Sequence, residues 1–212
     1  LVALLREQLA AVEKARAAAV GRLEAVRALP GACLRQTFEG RETGGWPVRP
    51  LGEAADIASG ITLGRTVRDE PTRPVPYLRV ANVKDGHLDL SDVFEIKATE
   101  QEISRLLLCH GDLLFTEGGD ADKLGRGTFW ECQIPECIHQ NHIFRARFDL
   151  SRLSPLFLAA QFGSSYGKSY FMKHAKQTTG IATINQKVLR QFPLLTPPLA
   201  EQQRVAEMLN EQ

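Results

Sequence analysis

Several features that would tie this chain to a membrane or to a charged partner are missing from its sequence. It has no run of about 18 apolar residues, so we expect no membrane-spanning segment. The first residues are charged and amphipathic and lack the basic start, apolar run and cleavage site of a signal peptide. The chain carries 26 Lys and Arg against 25 Asp and Glu, so its net charge of +1 does not by itself point to a nucleic-acid partner.

Cysteine is scarce and irregularly placed. The four cysteines form no regular framework, which favours reduced thiols and a cytoplasmic protein; they are Cys33, Cys109, Cys132 and Cys137. The last two lie with His139 and His142 within 11 positions, a grouping that suggests zinc. The spacing is not that of a zinc finger, and neighbouring residues of a strand point to opposite faces. We therefore expect buried thiols and a structural histidine, with no metal ion and no cofactor.

Catalytic motifs are also missing. Gly167-Lys168-Ser169 ends like a P-loop, but Phe162 stands where the first glycine belongs. The sequence has no Gly-x-Gly-x-x-Gly after a predicted strand and no Asn-Pro-Pro-Tyr or Asp-Pro-Pro-Tyr of an adenine methyltransferase. A weak grouping resembles the carboxylates and lysine of metal-dependent nucleases: Asp85 or Asp89 with Glu95 and Lys97. We expect a protein that is not an enzyme. Two other functions stay open for the chain. The first is a nuclease or methyltransferase fragment that acts on DNA, and the second is a coiled-coil scaffold without a DNA role.

Residues 1–29 have the pattern of a long helix that packs against another helix. Apolar side chains recur at alternating steps of three and four residues, as in a coiled coil, with Arg16 as the one exception. The predicted helix interface consists of Leu5, Leu9, Val12, Ala19, Leu23 and Val26. A helix packed on its own domain is the alternative. Pro30-Gly31 is expected to break the helix, and a linker at 40–47 places a domain boundary near residue 45.

From Trp46 onward, short apolar runs alternate with turns, which indicates a mixed α+β domain. Helices are predicted at 100–108, 156–162 and 165–175, and strands at 75–83, 88–90, 93–96, 113–116, 128–130, 133–134, 142–148 and 190–195. The glycine-rich stretch 117–127 is expected to be a long exposed loop.

Positive charge is concentrated between Arg145 and Arg190. This segment holds eight basic residues and one acid, Asp149, a balance of +7. Basic side chains on such a face would release counterions from DNA phosphates. Aromatic residues lie among the lysines, and uncharged polar residues that suit base edges follow: Tyr166, Tyr170, Phe171, Gln177, Thr178, Thr179 and Asn185. The pattern favours a nucleic-acid-binding face, and a solvated helix surface is the alternative.

The end of the chain resembles a known family. A polar loop with Ile184-Asn185 leads to an apolar strand, then to Pro197-Pro198-Leu199 and a helix that starts with Glu201-Gln202. This pattern resembles the closing segment of a target recognition domain in the DNA-specificity subunits of type I restriction-modification enzymes. Further landmarks of that family stand in the same order: Leu29-Pro30, Leu51-Gly52-Glu53, Ile57-Ala58-Ser59-Gly60, Pro76-Tyr77-Leu78-Arg79, Gly111-Asp112-Leu113-Leu114 and Gln140-Asn141-His142.

The resemblance implies an α+β target recognition domain between two helical parts. A spacer or dimerisation helix with its linker would occupy 1–45, the recognition domain 46–196, and the start of a distal conserved helix 197–212. In the family, two antiparallel helices hold two recognition domains apart. Each domain reads half of a split DNA site. This chain has one such domain, begins at Leu1 and stops in a helix at Gln212, so we expect half of a longer subunit or a half-subunit that forms a homodimer.

The implied mechanism is binding of double-stranded DNA. Methyl transfer from S-adenosylmethionine and any cleavage would belong to a methyltransferase (modification) subunit, docked on the helices, and to a restriction subunit. Basic side chains are expected to contact phosphates, and loop side chains to read base edges. The predicted phosphate contacts are Lys168, Lys173 and Lys176. The predicted loop contacts are Arg65, Arg68, Lys123, Arg126, Gln177 and Thr179.

Overall fold

The computed structural model describes residues 2–39, 45–67, 70–119, 124–125, 127–178 and 181–210. The helices are α1 (Val2–Phe38), α2 (Leu51–Ala54), α3 (Glu100–Leu106), α4 (Pro155–Gly163), α5 (Ser165–His174), α6 (Gln186–Arg190) and α7 (Leu199–Asn210). The strands are β1 (Val48–Pro50), β2 (Ala55–Ser59), β3 (Thr72–Leu78), β4 (Phe94–Thr99), β5 (Leu113–Thr116), β6 (Gly118–Gly119), β7 (Gly127–Phe129), β8 (Ile138–His139), β9 (Ile143–Phe148), β10 (Lys176–Thr178), β11 (Ile181–Thr183) and β12 (Pro193–Leu195).

Helix α1 extends away from the domain and enters the core only at its last two turns. It has 37 residues, which corresponds to about 55 Å at 1.5 Å per residue. Phe38 is fully buried and packs against the rings of Trp46 and Phe157. Leu34, one turn earlier, also packs against this core. Among the described side chains, those before Gly31 are all exposed.

The predicted break at Pro30-Gly31 is wrong, because α1 continues through both residues. A proline inside a helix lacks one N–H donor and costs about 3 kcal/mol. The carbonyl that loses its partner belongs to Val26, a residue that is 63% exposed, so water can hydrate it. Anchoring at Leu34 and Phe38 then fixes the helix on the side that joins the domain.

The centre of the domain is a four-stranded antiparallel sheet in the order β2-β9-β5-β7. One face of the sheet packs on α4 and α5 through side chains such as Phe115, which lies 4.5 Å from Phe162 between ring centroids. The other face, with Leu114, Ile143 and Trp130, packs in a second cluster with Leu78. Strand β3 carries Leu78 and lies in a three-stranded sheet of order β4-β3-β8. The α+β class predicted from the sequence is confirmed.

Strands β1 and β12 bring the two ends of the domain together. They pair antiparallel, with Val48 opposite Leu195. Helix α7 follows directly and packs against α1 and α4. The buried amide of Gln202 fixes it, since this side chain accepts from Ser154 N at 2.9 Å and donates to Pro197 O at 2.7 Å. The chain therefore arrives through α1 and departs through α7 on the same side of the domain.

Several short elements differ from the predictions. Residues 133–134 form no strand, and the pairing strand is β8, a few residues later. Helix α6 occupies part of the stretch before β12 where a longer strand was expected. Strands β10 and β11 were not predicted. None of the helices in the described ranges is both long enough and apolar enough to cross a membrane.

Candidate nucleic-acid interface

Two of the loops predicted to contact DNA lie side by side. Strand β11 pairs with β10 on one side and with β6 on the other, so Lys176 and Gln177 belong to the same small sheet as Gly118. This sheet joins the hairpin 176–183 to the start of the glycine-rich loop 117–127. Lys176 and Gln177 are exposed. Thr179, Lys123 and Arg126 lie outside the described residues.

Backbone hydrogen bonds connect this small sheet to two further segments. Glu117 N donates to His142 O at 2.9 Å, and Ile184 N donates to Glu117 O at 2.8 Å. Ile61 is connected to the same segments, because Asn141 N, from the residue before His142, donates to Ile61 O at 2.9 Å. The described parts of 60–65, 117–119, 140–142 and 176–184 therefore form one contiguous group, which we call the loop cluster.

Two glycines allow the close packing within the loop cluster. A Cβ on Gly60 would lie 1.9 Å from the carbonyl oxygen of His139, so only glycine fits there. A Cβ on Gly118 would lie 2.7 Å from Cγ2 of Thr183 and 2.8 Å from the carbonyl oxygen of Ala182. A larger residue at either position would push the segments apart.

Arg65 is held at the edge of the loop cluster by an ion pair. Its guanidinium donates to both carboxylate oxygens of Glu102, at 2.5 and 2.6 Å, and to Lys97 O at 2.9 Å. The hydrogen bonds from Arg65 to the Glu102 carboxylate lower the pKa of Glu102 to about 2. Glu102 also closes the capping box of α3, where Thr99 is the N-cap. Arg65 therefore has Glu102 as a structural partner, in addition to its predicted contact with DNA. Arg68 lies outside the described residues.

The basic segment 145–190 is partly neutralised by acids from elsewhere in the chain. Arg147 makes a bidentate pair with Asp112, with both distances at 2.7 Å, and Arg145 contacts Asp56 at 2.5 Å. Lys168, one of the predicted phosphate contacts, lies 2.5 Å from Asp85. In contrast, the structure gives no carboxylate partner among the described residues to the exposed Lys173 and Lys176.

The interpretation of the aromatic residues in this segment as part of a binding face is wrong. Phe171 is fully buried. The hydroxyls of the two tyrosines donate into the domain, Tyr166 to Pro193 O at 2.6 Å and Tyr170 to Val188 O at 3.0 Å. Asn185 accepts from Val188 N at 3.0 Å as the N-cap of α6. These side chains stabilise the core and a helix end.

Several of the residues considered for metal chemistry have separate structural partners. The expectation of buried thiols is right for Cys137 and wrong for Cys132, which is exposed. Within the described ranges, no three His, Cys, Asp or Glu side chains are close enough to hold a metal ion. Burial raises the pKa of Cys137 to about 12 and lowers that of His139 to about 4. His142 contacts Glu117 at 2.6 Å, and Asp89 accepts from the hydroxyl of Ser91, also at 2.6 Å. Gly167-Lys168-Ser169 lies inside α5, not in a phosphate-binding loop.

The predicted helix interface remains uncovered in the single chain. Leu5, Leu9, Val12, Leu23 and Val26 are each between 49% and 64% exposed. Ala19 is exposed as well. A stripe of this length on one helix is unusual for a surface that faces only water.

Sequence reasoning missed Glu117 and His142 as polar members of the loop cluster. His142 was considered only for zinc and as a family landmark. Glu117 was named only as the first residue of the glycine-rich loop. Their proximity comes from the pairing of β5 with β9, in which Thr116 lies opposite Ile143. No local pattern in the sequence reports that pairing.

The chain is similar in sequence to several curated specificity subunits. It is 25% identical over 168 residues to the putative type I restriction enzyme MjaX specificity subunit of Methanocaldococcus jannaschii, covering 78% of this chain and 39% of that protein. It is 29% identical over 138 residues to the type I restriction enzyme EcoKI specificity subunit of Escherichia coli, covering 64% of this chain and 30% of that protein. The chain thus spans about a third of the length of these curated relatives. No protein-family model matches the sequence.

Solved structures show the same fold. The HsdS subunit from Thermoanaerobacter tengcongensis superposes with a TM-score of 0.58 at 17% identity, over 94% of this chain and 46% of that one. A chain from a structure of complex assembly and conformational transition of the type I R-M system gives a TM-score of 0.61 at 18% identity, over 99% of this chain and 50% of that one. The chain is similar in sequence to type I restriction enzyme specificity subunits, and its α+β fold is that of the solved HsdS structure.

Proposed function

We propose that this chain is a DNA-specificity component of a cytoplasmic type I restriction-modification system. Its domain reads one half of a split site, and its helices dock a methyltransferase subunit. The observation that carries the proposal is the similarity to specificity subunits, at 25% and 29% identity to two of them. The chain itself performs no catalysis. Methyl transfer from S-adenosylmethionine belongs to the modification subunit, and cleavage to a restriction subunit.

The charges of the domain support a division of roles in DNA binding. Lys173 and Lys176 are exposed cations that contact phosphates and set the position of the domain. Lys168 joins them when DNA phosphate competes with Asp85 for its ammonium group. The loop cluster, with Gln177 and the loops that carry Arg68, Lys123, Arg126 and Thr179, reads base edges. Arg65 supports its loop through Glu102 and contributes positive charge at its edge.

Helix α1 supports the proposal that the chain works as an assembly. Its apolar stripe is exposed over Leu5 to Val26, and a second helix would bury it. We propose that this helix is a second copy of α1 in a homodimer or the distal helix of a longer subunit. A two-fold dimer would read an inverted repeat, because isologous pairing mirrors the two half-sites.

The test is to co-express the chain with the modification subunit encoded beside it and to map methylated adenines in the host DNA. We expect methylation at one split motif, absent when this chain is omitted. A palindromic motif would identify a dimer of half-subunits. If the two proteins co-purify but no motif is methylated, the DNA-specificity role is wrong. Failure to form any DNA-dependent complex would favour the scaffold alternative.

A further inference from the structure

Glu117 is a carboxylate held rigidly in the middle of the loop cluster. It lies between β5 and β6, and both of its backbone polar groups are hydrogen bonded to other segments. Its side chain is oriented by His142, whose Nδ1 lies 2.6 Å from Oε2. Since a carboxylate only accepts hydrogen bonds, His142 Nδ1 is the donor of this pair. The position of Glu117 is thus fixed by the strand framework and not by a free loop.

The Glu117 side chain keeps unused hydrogen-bonding capacity toward solvent. It is 33% exposed, and His142 is 55% exposed. The contact to His142 uses Oε2, and Oε1 has no hydrogen-bond partner among the described residues. A carboxylate offers about four acceptor positions. A ligand that approaches the loop cluster therefore meets an oriented acceptor.

A negative charge at this place is unfavourable for contact with phosphate. Like charges across an interface cost several kcal/mol and suppress the wrong partner. In DNA grooves, the group that a carboxylate can accept from is the exocyclic amino group of a base, and the pairing of Glu with N4 of cytosine is the favoured case. Adenine carries the same kind of donor at N6.

We propose that Glu117 reads an exocyclic amino group of one base in the major groove, with His142 as the residue that orients it. This inference rests on the proposed function, because it assumes that the loop cluster faces DNA. It assigns to one residue the selection of cytosine or adenine over thymine and guanine at one position of the half-site.

The test compares three forms of the full chain in complex with its modification subunit: wild type, Glu117→Ala, and Glu53→Ala. Glu53 lies exposed on α2, outside the loop cluster, so Glu53→Ala removes the same side chain away from the proposed contact. Each complex selects from a library of randomised DNA duplexes. Wild type and Glu53→Ala should recover the same motif, with cytosine or adenine at the position concerned. Glu117→Ala should lose the preference at that position by roughly tenfold and keep the others.

A second measurement separates base reading from support of the fold. The selected cytosine or adenine is replaced by an analogue without the amino group, and binding is measured for wild type and Glu117→Ala. Wild type should lose roughly tenfold in affinity, while the variant should lose almost nothing further, because the two partners act on one contact. Thermal unfolding of Glu117→Ala should match that of Glu53→Ala.

Three outcomes decide the question. A motif changed at one position by Glu117→Ala, with coupling to the amino group, supports the inference, and the identity of the base tells cytosine from adenine. An unchanged motif, or equal losses for wild type and variant on the analogue, overturns the inference and leaves the proposed function in place. If the wild-type complex selects no motif at all, the proposed function is overturned together with this inference.

Discussion

At the scale of single residues, His139 shows how burial controls a charge. Its ring is fully buried, and its Nδ1 lies 2.9 Å from the carbonyl oxygen of Ile143, which makes Nδ1 the donor. Burial lowers the pKa of His139 to about 4, and the nearby Arg145 adds to the effect. In the unfolded chain the pKa of a histidine is about 6.5. The unfolded state therefore takes up a proton first as the pH falls, and stability is lost between about pH 6.5 and 4.

We expect the free energy of unfolding to fall by about 2 kcal/mol between pH 7 and pH 5 because of His139. Urea unfolding at the two pH values measures this difference. His139→Gln should abolish most of the change, even if the variant is less stable at pH 7. His87→Gln, at an exposed turn, should retain it. Equal stability of the wild type at both pH values would contradict the assignment, since most carboxylates titrate below this window.

Lys173 tests the phosphate contacts. Lys173→Ala should weaken DNA binding and reduce the slope of log affinity against log salt by about 1, because one fewer phosphate is neutralised. Fluorescence anisotropy over a range of salt concentrations measures the slope. Lys14→Ala, on the exposed part of α1, is the control with the same change of charge. The methylated motif should stay the same, and an altered motif would show that Lys173 reads bases instead.

The sequence predicted the excess of cations in 145–190 but not which of them are paired. The acids that pair with Arg147, Lys168 and Arg145 are separated from them by 35, 83 and 89 positions. Such partners are set by sheet pairing and not by local spacing. The aromatic side chains were misinterpreted for a similar reason, because Phe171 and Tyr170 become buried only when α5 packs on the domain.

At the scale of elements, α1 contains a weak point at Pro30. The missing N–H leaves Val26 O without its helical partner, in the exposed part of the helix next to the anchored turn. Pro30→Ala should restore that hydrogen bond. We expect slower amide hydrogen exchange around residues 26–34, with little change in the exchange of the sheet core. Unchanged exchange in α1 would show that the proline does not weaken the helix locally.

The helices predicted at 156–162 and 165–175 correspond to α4 and α5, because their patterns extend over more than two turns. The strand predicted at 113–116 coincides with β5, whose apolar run Leu113-Leu114-Phe115 follows directly on the turn at Gly111-Asp112. Strands β10 and β11 have three residues each, and β8 has two. An alternating pattern cannot be recognised over so few residues. The predicted helix break at Pro30-Gly31 was wrong because water can hydrate the one carbonyl that loses its hydrogen bond, and this makes the energetic cost of the proline tolerable.

At the scale of the whole molecule, the exposed stripe of α1 predicts that a second helix packs against it. Each buried leucine contributes about 1.5–3 kcal/mol, so two adjacent stripes provide a substantial interface. We expect a dimer at micromolar concentration in analytical ultracentrifugation. Leu9→Glu together with Leu23→Glu should give monomers with an intact domain, because charge replaces apolar contact in the middle of the stripe. A monomeric wild type would count against the homodimer.

The control for this experiment places the same charges outside the stripe. Ala10→Glu together with Ala17→Glu changes residues that follow the stripe positions and point away from it. This variant should remain dimeric. If both double variants dissociate, general charge repulsion along α1 is responsible, and the apolar stripe is not the contact.

The pairing of Val48 with Leu195 has a consequence beyond stability. Neighbouring strands lie about 5 Å apart, so the chain enters the domain through β1 and leaves it through β12 at two points separated by about that distance. The two ends of the domain are therefore held together by a pair of three-residue strands. Any domain whose first and last strands pair in the same way could replace this one while α1 and α7 keep their relative positions. The loops of the domain are thereby free to change without any matching change in α1 and α7.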